Sequence, residues 1–380
     1  MNDSTATPPR YLSVDFYRGV TIAFMIIVNT AGSWEYVYAP LRHAEWHGCT
    51  PTDLVFPSFM FIIGVSMWFA FARYNHRWTA EAGKKILKRT VLLFVIGVLM
   101  YKIPFFWRDW DTARIMGVPQ RLALGYGLAA VLVLNLNRKT LLWVSGGILL
   151  LYWGIMNWFA YPGGNPYLAE FSSVLRFDRF LLGEAHLYNG EVNGGVRMPF
   201  DPEGVLSTLP SIVTVIMGWL CGEWMTRRKD NVELLLRDLL AVGLICGFAG
   251  LAWDSFFPIN KKLWTSSYVL YAGGLSMIFL AASIYLIDVK KVRNGANFFF
   301  VFGANSLFAY LLSEVLVILW FSITWEAGGE PTNVQEWIYN TVFKPIEGAE
   351  FSSFLFALSY MLLCWVICRW LYVRKIYIKL

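Results

Sequence analysis

The chain is 380 residues long, 57% hydrophobic and only 15% charged, with a mean hydropathy of +0.49. A soluble domain carries charge on about a quarter of its residues, which excludes a soluble fold of any size here. The net charge of +6 is spread over separate short segments rather than gathered in one patch, so no nucleic-acid partner is expected.

Apolar runs long enough to cross about 30 Å of hydrocarbon recur along the chain. Ten are expected, at about 12–32, 53–73, 85–106, 117–136, 141–160, 205–225, 236–257, 263–287, 299–323 and 353–373, the third and ninth being the least clean. Short connections pack them together, giving an all-α polytopic bundle as a single transmembrane domain over 1–380, with a long external loop at 161–204. Twenty of the Lys and Arg residues fall on segments sharing a side with the N-terminus and ten on the opposite side, with Arg18 and Arg121 inside spans. The positive-inside bias therefore places both termini in the cytoplasm, and the outer loops in the periplasm if the membrane is a bacterial inner one. The first span has no small-residue cleavage site and carries Asp15 and Arg18, so it is read as a span and not as a signal peptide.

In that first span Asp15, Arg18, Ile22, Met25 and Asn29 fall within roughly 60–80° of one another on a helical wheel. Polar groups inside a span are costly and become functional candidates by default. Asp15 and Arg18, one turn apart, suit pairing with each other or positioning a neighbouring helix. Just past the outer end come His43 and Trp46. A neutral imidazole there can take a proton near pH 7. The basic stretch 73–89 reads as an inner-face anchor able to meet phosphates.

The fourth span opens Gly117-Val-Pro-Gln120-Arg121. Arg121 inside the outer boundary either pairs with a carboxylate or holds substrate. The loop at 161–204 is turn-rich without evident secondary structure, which marks a functional or disordered segment. Asp178, Asp201 and Glu203 are either solvated loop acids or a set facing a substrate, and His186 reads as structural. In the next span Ser207, Ser211, Thr214, Gly218 and Gly222 share one face, a spacing that lets helices approach closely. Asn260 and Lys261 are placed to hydrogen-bond a polar ligand above the bundle, whereas Trp264 and Tyr268 suit an interface belt. In the ninth span Asn305, Ser306, Tyr310, Ser313 and Glu314 recur at helical spacing, and Glu314 needs a partner such as Arg18 or Arg121. Cys364 and Cys368 sit one turn apart with no histidine to complete a metal set, so core packing is expected and no metal.

No nucleotide-binding, hydrolase-elbow or metalloprotease signature appears. A transporter or flippase for amino sugars or lipid-linked saccharides would often show paired broken spans in two halves, and no internal repeat is found. The ordered motifs D-x-x-R-G, M-x-x-V-N, H-A-x-W-x-G, T-x-x-D-L-V-F-P-x-F-x-F-x-x-G, G-V-x-Q-R, D-P-E-G-x-L-S-T-x-P, N-K-x-L-W-T-x-S-Y and G-x-N-S-L run from the first span to the ninth. In this order the chain resembles the heparan-α-glucosaminide N-acetyltransferase family, multi-pass enzymes of the wider transmembrane acyltransferase group. The resemblance implies transfer of acetyl from cytosolic acetyl-CoA to a glucosamine amine, free or ending an oligosaccharide, across the membrane. It implies His43 as the active-site histidine and Asn29 as the motif asparagine, and makes binding candidates of Asp53, Ser267 and the other motif residues. A homodimer is a further family-level expectation. Two roles are open to His43: general base for direct transfer, or nucleophile carrying an acetyl-imidazole. A water-reactive acetyl-imidazole is hard to protect on an outer loop, which favours the base.

Overall fold

The computed structural model describes residues 11–107, 109–193 and 196–378, so the two chain ends lie outside the described residues. Helices α1 (Leu12–Asn29), α2 (Val55–Phe71), α3 (Ala80–Met100), α4 (Val118–Asn135) and α5 (Arg138–Trp158) come first. The segment between α5 and α7 then forms α6 (Ser173–Leu182) and an antiparallel hairpin of β1 (Asn189–Asn193) and β2 (Val196–Pro199). Helices α7 (Val205–Arg227), α8 (Val232–Asp254) and α9 (Ser266–Ile284) return to the bundle, followed by α10 (Ala296–Ala304) and α11 (Ser306–Ser322). A second hairpin of β3 (Thr324–Ala327) and β4 (Glu330–Asn333), the short α12 (Val334–Ile338) and the long α13 (Ala349–Val373) complete the order. Side-chain caps start several of these helices. Thr79, Asn137, Ser172, Asn231 and Thr265 each accept a backbone N–H from the first turn of the helix they precede.

Among the described residues eight helices are long and apolar enough to cross a membrane, and α10 with α11, bent by 83° at their junction, makes a broken span or a re-entrant loop. The remaining expected span is α3, whose first half carries Lys84, Lys85, Lys88 and Arg89 and so shortens its apolar length. The chain is thus an all-α polytopic membrane protein. Its centre is α7, with 83% of its apolar stretch buried, whereas α5 and α8 bury only 28% and 22% and form the periphery.

The predicted close approach on α7 is present. A Cβ on Gly218 would stand 1.9 Å from the Phe61 carbonyl oxygen of α2, and one on Gly64 would stand 2.0 Å from that of Val215. Backbone cannot yield as a side-chain tip can, so overpacking here costs about 1–3 kcal/mol. Gly218→Ala is expected to lower the melting temperature in detergent. Gly247→Ala on α8, where an added Cβ meets nothing within 4 Å, serves as the control and should leave it unchanged.

The segment at 161–204 is folded, unlike the structureless loop expected. Its apolar residues Val174, Leu175 and Phe200 pack with Tyr152 of α5, Phe257 and Leu263 into a small second core joined by Trp46. Turn residues dominate its sequence and mask the scattered apolar positions that make this cap.

Candidate active site

Asp53 opens the turn leading into α2 and organises the loop that follows α1. Its Oδ2 accepts from the Ala44 N–H, the Thr50 N–H and the Thr50 hydroxyl, each at 3.0 Å, while Oδ1 lies 2.6 Å from His43 Nδ1. A buried carboxylate needs such partners to stay ionised in the interior. Because a carboxylate only accepts, Nδ1 of His43 carries the hydrogen, leaving the Nε2 lone pair available as a base. The His43 side chain keeps 40% of its surface exposed, and it lines the cavity described below. Lys261 Nζ stands 3.2 Å from His43 Nδ1 and 3.8 Å from Asp53 Oδ1. Burial, and then the Lys261 charge, lower the imidazole pKa below its ordinary value, outweighing the hydrogen bond to Asp53 that raises it. His43 is therefore neutral at neutral pH.

The cavity has two lobes of about 370 and 130 Å³ that share Asn29, His43, Val118, Glu203, Lys261 and Tyr310 as walls. The larger lobe adds the charged Arg114, Lys262 and Glu314 with the aromatic Trp34, Tyr101 and Tyr188. The smaller lobe adds the apolar Met25, Val28, Val55 and Phe56 and the Thr52 hydroxyl to the shared polar walls. Asn29 Nδ2 donates to Glu314 Oε1 at 3.4 Å, so Glu314 pairs with neither Arg18 nor Arg121 as the sequence suggested. Arg114 grips Asp201 through two bonds of 2.9 and 2.7 Å and donates to Glu203 at 2.8 Å. Its guanidinium also lies over the Tyr101 and Tyr188 rings. Burial opposes ionisation of Glu203, yet Arg114 and then Arg121 outweigh it and hold the carboxyl below its ordinary pKa.

The structure sorts the candidates. Asn29, His43, Trp46, Asp53, Glu203 and Lys261 line the cavity. Trp46 does so while pinned, its indole N–H donating to the Tyr167 carbonyl of the cap at 2.7 Å. Asp201 is clamped by Arg114, and Asp178 Oδ1 accepts the Val205 and Leu206 N–H groups, capping α7. Neither is a solvated loop acid. His186 bonds the Ala113 carbonyl through Nδ1, a structural role.

Arg121 is fully buried behind the site, donating to the Gly204 carbonyl and the Ser207 hydroxyl and lying 4.9 Å over the Trp264 ring. Gln120 is buried beside Gly97 with neither amide atom hydrogen-bonded. Trp264 and Tyr268 are wholly buried, correcting the interface-belt expectation, because they point into the bundle core, Trp264 against Phe56 and Arg121 and the Tyr268 hydroxyl donating to the Asp53 carbonyl. Asn260 holds its own turn by accepting the Leu263 N–H, and Ser267 donates to the Phe257 carbonyl.

Asp15 and Arg18 pair at 3.5 Å near the other end of α1, about 16 Å of helix from Asn29, and Arg18 also donates to the Gly303 carbonyl. Asn305 ties residues 376 and 378 to the break between α10 and α11, and Ser306 begins α11. These last four sit apart from His43. Sequence reasoning missed Arg114, whose only signal was an arginine shortly before the G-V-x-Q-R motif.

The family profile described as "Heparan-alpha-glucosaminide N-acetyltransferase, catalytic" matches residues 10–250, a stretch that holds Asn29, His43, Asp53, Arg114 and Glu203. Mouse heparan-alpha-glucosaminide N-acetyltransferase is 30% identical over 381 residues, covering 88% of this chain and 57% of its own. The human protein of that name is 30% identical over 359 residues, covering 82% and 54%. The chain therefore spans about half the length of the curated relatives it matches. With the profile covering most of the chain and the dyad inside it, the chain belongs to the heparan-alpha-glucosaminide N-acetyltransferase family.

Proposed function

We propose that this protein transfers acetyl from cytosolic acetyl-CoA to the amine of a glucosamine-type sugar on the outer side of the membrane. The observation that carries the reading is the geometry of His43, its Nδ1 held 2.6 Å from Asp53 and its ring on the wall of a cavity of two joined lobes. The smaller lobe, narrowed by Met25, Val28, Val55 and Phe56, suits the slim pantetheine arm of the donor, arriving along the α1 seam from the basic inner face. The larger lobe suits a sugar, with Glu203 and Glu314 drawing in an acceptor that arrives as a cation. Once neutral, the amine nitrogen attacks the thioester carbon, the C–S bond breaks to release CoA thiolate, and His43 Nε2 takes the proton from nitrogen. Asn29 Nδ2 has a second hydrogen beyond the one directed at Glu314, and it stabilises the thioester oxygen as charge builds there.

Purified protein given labelled acetyl-CoA and glucosamine should form N-acetylglucosamine and CoA in equal amounts. N-acetylglucosamine offered as acceptor should remain unlabelled, and its robust acetylation would sink the amine reading. Asn29→Ala should lower turnover by about 10²–10³ with little change in donor affinity, the scale of one lost oxyanion donor. Loss of donor affinity with intact turnover would instead make Asn29 a binding residue.

A further inference from the structure

A second cleft of about 670 Å³ lies between residues 32–36, after α1, and residues 335–352, before and within α13. Its size falls within the roughly 300–1,000 Å³ usual for small-molecule sites. Trp34 lines both this cleft and the larger lobe of the catalytic cavity, and 61% of its surface is exposed. Gln335 is only 5% exposed. Its Nε2 donates to the Ala31 carbonyl at 3.3 Å, while its Oε1 has no hydrogen-bond partner although it is buried at the cleft wall. A buried acceptor left unpaired is costly, which marks a place where a ligand donor is rewarded. Asn340 adds an exposed amide, and the Tyr339 hydroxyl, accepting from Ser352 at 3.4 Å, lies beside it.

An exposed indole face next to converging amide and hydroxyl groups is suited to sugars. The partly positive C–H face of a pyranose rests on the negative face of the ring, and its hydroxyls meet the amides. The charged residues of the cleft are Glu35, Glu336 and Lys344, an excess of carboxylate that repels sulfate and uronate groups. We infer that this cleft is an extended subsite for a neutral oligosaccharide, holding the sugars that follow the amino sugar placed at His43, with Trp34 as the joint. The inference rests on the acetyl-transfer reading for the occupant of the first cavity.

Calorimetric titration of the full chain in detergent tests it without turnover. Tri-N-acetylchitotriose should bind at least about tenfold more tightly than N-acetylglucosamine, and a sulfated heparin tetrasaccharide should show no such gain. Gln335→Ala should remove most of the trimer's advantage. Asn340→Ala, at an exposed position, should reduce it as well, with the melting temperature read alongside to check the fold. Equal affinity for trimer and monomer, tighter binding of the sulfated chain, or an undiminished advantage in both variants would overturn the subsite. If the trimer gain holds while glucosamine is never acetylated, the transfer reading fails and the cleft stands. If glucosamine is acetylated and no gain appears, the cleft alone fails.

Discussion

His43→Ala abolishes measurable acetyl transfer while acetyl-CoA still binds. A positioned general base contributes about 10²–10⁴ in rate, and here its removal also leaves Asp53 facing Lys261 without the ring between them. Donor binding, read by titration with acetyl-CoA, should survive because the smaller lobe keeps its Met25, Val28, Val55 and Phe56 walls when the ring is removed. Wild-type protein given donor without acceptor should release no burst of CoA matching the enzyme concentration. The ring keeps 40% of its surface exposed in a solvent-accessible cavity, where an acetyl-imidazole would meet water. A burst that vanishes in the variant would show acetylated His43 and remove direct transfer. The pH profile supplies a separate check. Neutral imidazole grows as pH rises through its pKa, which burial and Lys261 lower, so the acid limb of kcat should have its midpoint below 6.5.

How far the site could be read from the sequence depended on whether a partner lay in the same local segment. The seam of α1 was legible because five side chains at helical spacing share one face, and Asp15 with Arg18 paired as expected. His43 and Asp53 are ten positions apart on one loop, yet their contact was not legible. It requires the turn in which Asp53 also gathers the Ala44 and Thr50 N–H groups. Contacts across the bundle were out of reach altogether. Asn29 with Glu314 and Arg114 with Asp201 join distant segments, and spacing along one helix says nothing about which neighbour it meets. Trp264 and Tyr268 show the same limit in reverse. Aromatics at the end of a span read as a belt unless they face other helices, and these two face Phe56, Arg121 and the Asp53 carbonyl, partners far away in sequence. The small-residue face of α7 was legible because it needs no knowledge of its partner beyond closeness, and Gly218 meets the backbone of α2 as that spacing implies.

Asp53→Asn should lower kcat by about 10⁴ with the fold intact, the scale seen when the carboxylate of a histidine-orienting pair becomes an amide. Oδ2 of Asp53 takes three donors from its own loop, and Oδ1 takes the Nδ1 hydrogen of His43. An amide has one acceptor oxygen and one donor nitrogen, so it cannot serve both sides. Keeping the loop bonds requires the oxygen to face Ala44 and Thr50, which turns the NH₂ toward His43. Nδ1 must then accept, its hydrogen moves to Nε2, and the base nitrogen is occupied by a proton. The substitution also removes the one strong influence raising the imidazole pKa, so the acid limb of any residual activity should move to lower pH. Acetyl-CoA binding should persist, since Asp53 lines only the larger lobe. A fall of less than about tenfold in kcat, with donor binding and melting temperature preserved, would mean that Asp53 only braces the loop. His43 would then be held in its working tautomer by something other than this carboxylate.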